Sequence, residues 1–548
     1  MSGISKVSAL AAFLLLAVAI SSTANLSENN DSLKMPVEQP PNILFILTDN
    51  QAASLLGSYG NPDIKTPHID RLAAEGTQFN RFFASNGMCS PTRATLMTGL
   101  LPSQHGLHNW LDDKLMKDWP RNWSAIEEFR TLPLTLKNRG YQTAMIGKWH
   151  LGQPWKASIG YEHWVTFTDG HTVDFWNNTV IDNDETYVVK DQHIVDFFTD
   201  KAVDYLQSYD GEQPFYLQLN YDGPYVNPPT NLGPARNRYY DDYVGKEFSS
   251  FPRVAFNKNL AQQILEKDQH PPFLIKMHMA GLAMHNDPAT MANVASQNTL
   301  VDDGVGRVMA MLKEKGLDKN TLVIFSSDQG NFYGQHGLWQ HTVVTTPTNL
   351  YETAMNVPLI IRHASSIEAG RKSDALLGQY DLPITILDYV GIKNVAFENS
   401  PGQSFAEELT NQASEIGRQL VFFEQEETRG VRSTNFAYWE RIEGIGGAEL
   451  YDMQNDPEQN NNLAGDSDYS EIQKNLSTEL NAFFAQHADP KYDLWKGGTA
   501  KGSVVRPNMF KGLYGESWEP QTEILQAFDE PDLISKPYVN KPQLTESQ

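Results

Sequence analysis

"NILFILTDNQ", Asn42 to Gln51, is an unbroken apolar run that breaks off in Thr-Asp-Asn-Gln. A strand with one wet face alternates apolar and polar residues, whereas a short continuous run fits a strand covered on both faces, as in a parallel sheet. Similar runs follow at "YQTAMIGKWHLG" (141–152), "PFYLQLNYDGPY" (214–225), "TLVIFSSDQGN" (321–331) and "VPLIIRHA" (357–364). Between them lie helix-like segments such as "LPLTLKNRG" (132–140) and "ASQNTLVDDGVGRVMAMLKEKG" (295–316). This alternation predicts an α/β fold, a large mixed and mainly parallel sheet sandwiched by helices. Each run delivers polar residues at its end: Asp49 and Asn50, Lys148 and His150, Asp222 and Tyr225, Asp328 and Gln329, Arg362 and His363. Open α/β sheets bind ligands beyond the carboxyl ends of their strands, so all five pairs are expected to converge on one cleft.

At 548 residues, 40% of them aliphatic or aromatic, the chain can bury a large core and add a smaller second domain. Near the N-terminus Lys6 precedes the apolar stretch Val7 to Ile20, and Ser22 and Ala24 suit signal-peptidase cleavage after Ala24. That stretch is shorter than the ~20 residues of a spanning helix. Residues 1–24 are therefore expected to be a signal peptide, with no membrane anchor, sending the protein to the periplasm or the medium. The polar residues 25–40 read as a disordered spacer. Net charge is −24, from 67 acidic against 43 basic residues. It argues against nucleic acid as a partner, and it leaves any anionic substrate dependent on local cations or a metal.

Residues 41–400 are expected to form the catalytic domain, with an insertion at about 231–270 rich in Tyr, Arg and Asp. Its Arg236, Arg238, Tyr239 and Tyr240 are candidates for gripping a sugar anion. Beyond Pro401, "QLVFFEQEE", "TRGVRSTNFAYWERI" and "AELYDM" read as antiparallel strands, and "YSEIQKNLSTELNAFFAQHA" as an amphipathic helix. A smaller C-terminal α+β subdomain is expected at 401–495, and an irregular tail at 496–548.

The chain has one cysteine, in "NGMCSPTRATLMTG" (86–99), so no internal disulfide is available to an exported fold. A helix starting at Cys89 tolerates Pro91 in its first turn and places Arg93 on the same face as Cys89. A helix N-terminus beside an arginine attracts an anion.

Cys89-x-Pro91-x-Arg93 followed by Thr98-Gly99 closely resembles the signature of type I sulfatases, whose cysteine is oxidised to formylglycine (3-oxoalanine). "NILFILTDNQ" is similar to that family's first metal motif, "GKWHLG" to its Lys-x-His motif, "SSDQG…GQHGLW" to its second metal motif, and "ELYDMQNDPEQNNNLAG" to a segment of its C-terminal domain. The resemblance implies an alkaline-phosphatase-like sheet, a sulfated carbohydrate as substrate and a formylglycine-generating maturation enzyme as partner. It implies one calcium ion per chain, held by Asp49, Asn50, Asp328, Gln329 and the oxidised residue formed from Cys89. These offer only oxygen ligands, which suit a hard cation. Many relatives have aspartate at Asn50 and asparagine at Gln329. The implied mechanism is covalent: one hydroxyl of the hydrated aldehyde attacks sulfur, the alcohol leaves, and the second hydroxyl expels sulfate. Arg93 and Lys148 would neutralise developing charge, and His150 would move the nucleophile's proton.

Two positions depart from the pattern. Tyr225 stands where many relatives have a histidine, and His341, in "QHTVV", stands near the place of a lysine. His341 is read as a sulfate ligand and leaving-group acid, and Tyr225 as a substrate-lining ring or acid. His105, His278 and His285 are read as packing or capping residues. Two alternatives are carried: a phosphodiesterase or phosphonate monoester hydrolase of the same superfamily, and a homologue that binds sulfated glycans without cleaving them.

Overall fold

The computed structural model describes residues 40–520 except 112–119, 171–174, 226–235, 270–271, 394, 396 and 411–417. The expected signal peptide, nearly all of the spacer, residues 231–235 and 270 of the insertion and the end of the tail lie outside the described residues. The strands are β1 (Asn42–Thr48), β2 (Thr77–Phe83), β3 (Gln142–Gly147), β4 (His163–Phe167), β5 (Thr179–Asp182), β6 (Glu185–Val188), β7 (Phe215–Asn220) and β8 (Thr321–Ser327). They continue with β9 (Phe332–Tyr333), β10 (Trp339–Gln340), β11 (Asn356–Arg362), β12 (Arg371–Ser373), β13 (Leu377–Gly378), β14 (Val421–Gln425), β15 (Thr428–Arg432), β16 (Phe436–Arg441) and β17 (Glu449–Asp452).

One large sheet has the order β12-β2-β11-β8-β1-β7-β3-β4-β5-β6, with β13 also on β2. Its centre, β8 to β4, is parallel. The run that opened the reading is the middle of this sheet, and every residue of β1 is buried. Side chains alternate between two cores, as strand geometry requires. Ile43, Phe45 and Leu47 face one, with the helices Cys89–Thr98, Leu132–Lys137 and Leu382–Tyr389. Leu44 and Ile46 face the other, with the helices Pro67–Ala74, Ile194–Ser208 and Pro288–Glu314. Each large side chain so buried contributes about 1.5–3 kcal/mol.

The antiparallel sheet β14-β15-β16-β17 packs against the first core. The helix Ser470–His487 covers it through Leu476, Leu480 and Phe484, one face of the amphipathic pattern. Three readings need correction. The described part of the tail is not wholly irregular: it contains the helix Pro507–Tyr514, with Phe510 stacked on Trp518 at 4.9 Å. Both rings belong to an apolar cluster with Ile442, Leu494, Ala500 and Val504. In the insertion, Arg238 is committed to Asp196 (2.6 Å) and Asp303 (2.5 Å), and Tyr240, Tyr243, Phe248 and Phe251 form an apolar cluster with Trp339. That segment packs as a cover. Arg362 and His363 leave the sheet at the opposite edge from the other strand-end pairs, because β11 runs antiparallel to β8; Arg362 pairs with Glu75 and Asp318 there. Among the described residues no helix is long and apolar enough to cross a membrane.

Gly147, the last residue of β3, has φ +117°, and a Cβ there would lie 1.8 Å from the Asn220 carbonyl oxygen. Gly147→Ala is expected to lower the unfolding free energy by at least about 2 kcal/mol, read from urea denaturation. An unchanged midpoint would show that β3 and β7 separate freely at this edge.

Candidate active site

Parallel register makes the carboxyl edge a level platform. Thr48 stands opposite Ser327, and Asn220 opposite both Leu47 and Gly147. The residues that follow, Asp49, Lys148, Asp222 and Asp328, therefore arrive at one place, all fully buried. The helix Cys89–Thr98 begins against this platform after the extended Met88, and all its residues are buried. Cys89 Sγ lies 3.5 Å from Asp49 Oδ1. One turn on, Arg93 grips Asp328 Oδ2 through Nε (3.0 Å) and Nη2 (2.8 Å), and Nη1 donates to the Lys148 carbonyl at 3.1 Å.

Two cations thus sit among three carboxylates. Lys148 Nζ bonds Asp49 and lies 3.6 Å from Asp222. Burial works against the charge of Asp49, but Lys148 and Arg93 outweigh it and hold the carboxyl well below its usual range. Burial also opposes the Lys148 charge, yet Asp49, with Cys89 and Asp222, carries the ammonium well above its ordinary value. Burial pushes Asp222 well above the usual carboxylate range, against Lys148 and aided by Asp49. Asp328 is raised by burial and by Asp49, against Arg93. The Cys89 thiol is driven up by burial and by Asp49. The platform is short of positive charge, and a divalent cation would bring the raised Asp222 and Asp328 carboxyls back down.

The donor set fits a hard cation. One ligand atom each from Asp49, Cys89 and Asp328 lies within 4.8 Å of the others. The Gln329 side chain touches that of Asn50 and lies 3.2 Å from Cys89 Sγ. With its amide turned so that nitrogen donates to Asp328 Oδ1 at 2.8 Å, the Gln329 oxygen faces the Asn50 oxygen. Four oxygen-bearing side chains around one point suit calcium or magnesium better than zinc.

The other expected residues divide. His150 comes to the platform's wall with φ +57°, and its Nε2 bonds the Leu111 carbonyl at 2.8 Å. Tyr225 places its ring 5.2 Å from Lys148 Nζ. His341 is buried, and the charges acting on it are those of Asp49 and Lys148; burial first, with Lys148, brings its imidazole down to about 4. His278 and His285 bond backbone carbonyls of Val344 and Val254, each at 2.7 Å, and His105 accepts from Leu107 N–H at 3.1 Å. Asp222, read from sequence only as a strand end, is the residue given too little weight. Its signal was its position beyond β7. Thr92 was missed; its hydroxyl lies 3.4 Å from the Gln329 carboxamide.

Comparison with known proteins now decides the family. The sulfatase family model matches residues 41–392, and the model described as N-sulphoglucosamine sulphohydrolase, C-terminal, matches residues 334–486. The chain belongs to the sulfatase family. This sulfatase is a sulfuric ester hydrolase. It is 26% identical over 515 residues to an N-acetylglucosamine-6-O-sulfatase of Bacteroides thetaiotaomicron, covering 82% of this chain and 87% of that one. It is 29% identical over 360 residues to human N-sulphoglucosamine sulphohydrolase, covering 65% and 61% of the two chains. A solved structure described as a complex with its substrate D-glucosamine-2-N,6-O-disulfate superimposes with a TM-score of 0.65 at 24% identity, covering 82% of this chain and 98% of that one.

Lys148→Met removes one of the two cations and leaves the carboxylates to repel each other. Asp49 then loses the charge that holds it low, and Asp222 and Asp328, already above their unfolded values, rise further, so stability is lost at neutral pH and part of it is regained as falling pH protonates them. In chelator-treated protein the loss is expected to be about 3–5 kcal/mol at pH 7, shrinking toward pH ~5. A loss independent of pH would contradict this charge balance.

Proposed function

We propose that this sulfatase is exported and removes sulfate from a sulfated glycan, with Cys89 converted to formylglycine by a maturation enzyme. One calcium ion is assigned to Asp49, Asn50, Asp328, Gln329 and residue 89. The observation that carries the reading is the meeting of Asp49, Cys89 and Asp328 at the sheet's carboxyl edge, with Arg93 and Lys148 in the same charge cluster. Relatives named for glucosamine sulfates support an amino-sugar sulfate as substrate. Likeness to a phosphonate monoester hydrolase of Agrobacterium radiobacter, with a TM-score of 0.62 and 20% identity over 82% of this chain and 96% of that one, is one of fold. In this reading residues 41–400 carry the chemistry and 401–495 form the smaller subdomain.

When bound, the cation polarises sulfate oxygens and lowers the nucleophile's pKa. The matured residue 89 supplies a hydroxyl nucleophile that can also release the sulfated enzyme. Arg93, fixed by Asp328, and Lys148, fixed between Asp49 and Asp222, present positive charge where the sulfuryl group gains negative charge. They need no reorganisation, because their partners already hold them. His150 donates Nε2–H to the Leu111 carbonyl, which makes Nδ1 its basic nitrogen and the atom that takes the nucleophile's proton. His341, held neutral by burial before substrate arrives, takes up a proton beside the negative charge of the sulfate ester; as an imidazolium it hydrogen-bonds a sulfate oxygen, gives its proton to the departing alcohol and returns to neutral imidazole. Tyr225 lines the side from which that alcohol leaves.

The matured enzyme is expected to release sulfate from N-acetylglucosamine 6-sulfate or another sulfated amino sugar much faster than phosphate from the matching phosphate ester. His341→Ala should reduce turnover of sugar sulfates by about 10²–10³-fold, and of nitrophenyl sulfate, whose leaving group needs no proton, by under ~10-fold. Equal losses on both would remove His341 as the acid, and absence of sulfate release from every glycan tried would remove the substrate assignment.

A further inference from the structure

The turn between β14 and β15 presents Glu424, Gln425, Glu426 and Glu427, four consecutive polar side chains, each no more than 1% exposed. Gln425 pairs with Thr428 across the hairpin, so Glu426 and Glu427 form the turn itself, Glu426 at φ +48°. Burying three carboxylates this close together is costly unless partners engage them, and each has at least two. Glu424 accepts from Ser103 N–H (2.6 Å) and Arg429 (3.1 Å). Glu426 accepts from Asn109 and from Val505 N–H (2.8 Å), and Glu427 from Thr348 N–H (2.7 Å) and Arg506 (3.0 Å).

Through its backbone and through some of these partners the hairpin reaches the segments that carry the site. The Glu424 N–H donates to the Ser85 carbonyl at 3.0 Å, and the Glu424 carbonyl accepts from the Asn86 side-chain amide at 2.8 Å, just ahead of Cys89. Asn109 lies two residues before Leu111, whose carbonyl holds His150. At the middle, one oxygen of Gln425 accepts from Gly87 N–H at 3.2 Å and from the Thr342 hydroxyl. Gly87 is two residues before Cys89, and Thr342 follows His341. A Cβ on Gly87 would lie 2.1 Å from Thr342 Oγ1 and 2.8 Å from Gln425 Oε1, so the approach is as close as glycine permits.

We propose that Gln425 is a positioning residue, whose carboxamide oxygen ties the turn presenting Cys89 to the loop presenting His341 and so sets their separation. It touches no reacting atom. The inference rests on the sulfatase reading and extends it: the C-terminal sheet is part of what aligns nucleophile and His341, not only cover for a core. Misplacement of a reacting group by about 1 Å can cost 10²-fold in rate, while substrate affinity, set by the charges on the platform, is largely retained.

The test uses the full-length matured enzyme and a sulfate ester that the wild type turns over, with conversion of residue 89 checked by mass in every variant. Gln425→Met keeps the side chain's bulk and removes the acceptor, Thr342→Val removes one donor, and Thr342→Ser keeps it. Gln425→Met and Thr342→Val are each expected to lower kcat about 10-fold or more with KM changed less than about 2-fold. The double variant should be little worse than either, because both break one junction. Thr342→Ser should remain near wild type. Unchanged kcat in fully converted variants, additive losses, or equal losses in Thr342→Ser and Thr342→Val would overturn the proposal. If Gln425→Met does not fold, the Thr342 pair decides. A matured wild type that hydrolyses no sulfate ester would instead overturn the sulfatase reading on which the proposal stands.

Discussion

Arg93 and Lys148 are held out of water among Asp49, Asp222 and Asp328, and the rest of the structure serves to keep that arrangement in place. Charges this deeply buried are tolerated only when partners compensate them within a few ångströms. That requirement constrains the backbone. Three of these residues must follow immediately, or nearly so, on neighbouring parallel strands, and the fourth and fifth must reach them from a helix and from the next strand. The register of β8, β1, β7 and β3 satisfies it. The continuous apolar runs are the cost: strands whose ends carry buried charge need both faces covered.

Much of this was legible in the chain itself. The central strands are announced by apolar runs, and the polar residues at their ends do converge at the sheet's carboxyl edge for β1, β3, β7 and β8. The fifth pair, Arg362 and His363, fails for a physical reason: an apolar run reports burial on both faces and says nothing of strand direction, and β11 is reversed. Arg238 was misjudged similarly. Its sequence neighbours are aromatic, but its ion-pair partners, Asp196 and Asp303, are distant in sequence and invisible to local reading. The helix in the tail packs into a cluster that joins Phe510 and Trp518 to Leu494 and Ile442, contacts that composition averaged away.

The site was read residue by residue through the motifs, and the structure adds what holds those residues still. Asn50 and Gln329, unusual beside an aspartate-rich set, lie in contact with each other. Asn50 in place of an aspartate removes one negative charge facing a sulfate ester, and both amides still offer an oxygen to a hard cation. His341 likewise sits within reach of the fields of Asp49 and Lys148. Support from β14 and β15 could not be seen from sequence, since "EQEE" reads as a solvated charge run unless Ser103, Asn109, Arg429 and Arg506 are known to converge on it.

All of this presupposes that residue 89 is not a thiol in the working enzyme. The mass of the tryptic peptide Phe82–Arg93, taken from protein exported by its own host, tests that directly. The account predicts a peptide lighter by conversion of thiol to aldehyde. An unmodified Cys89 in protein that nonetheless hydrolyses sulfate esters would contradict it.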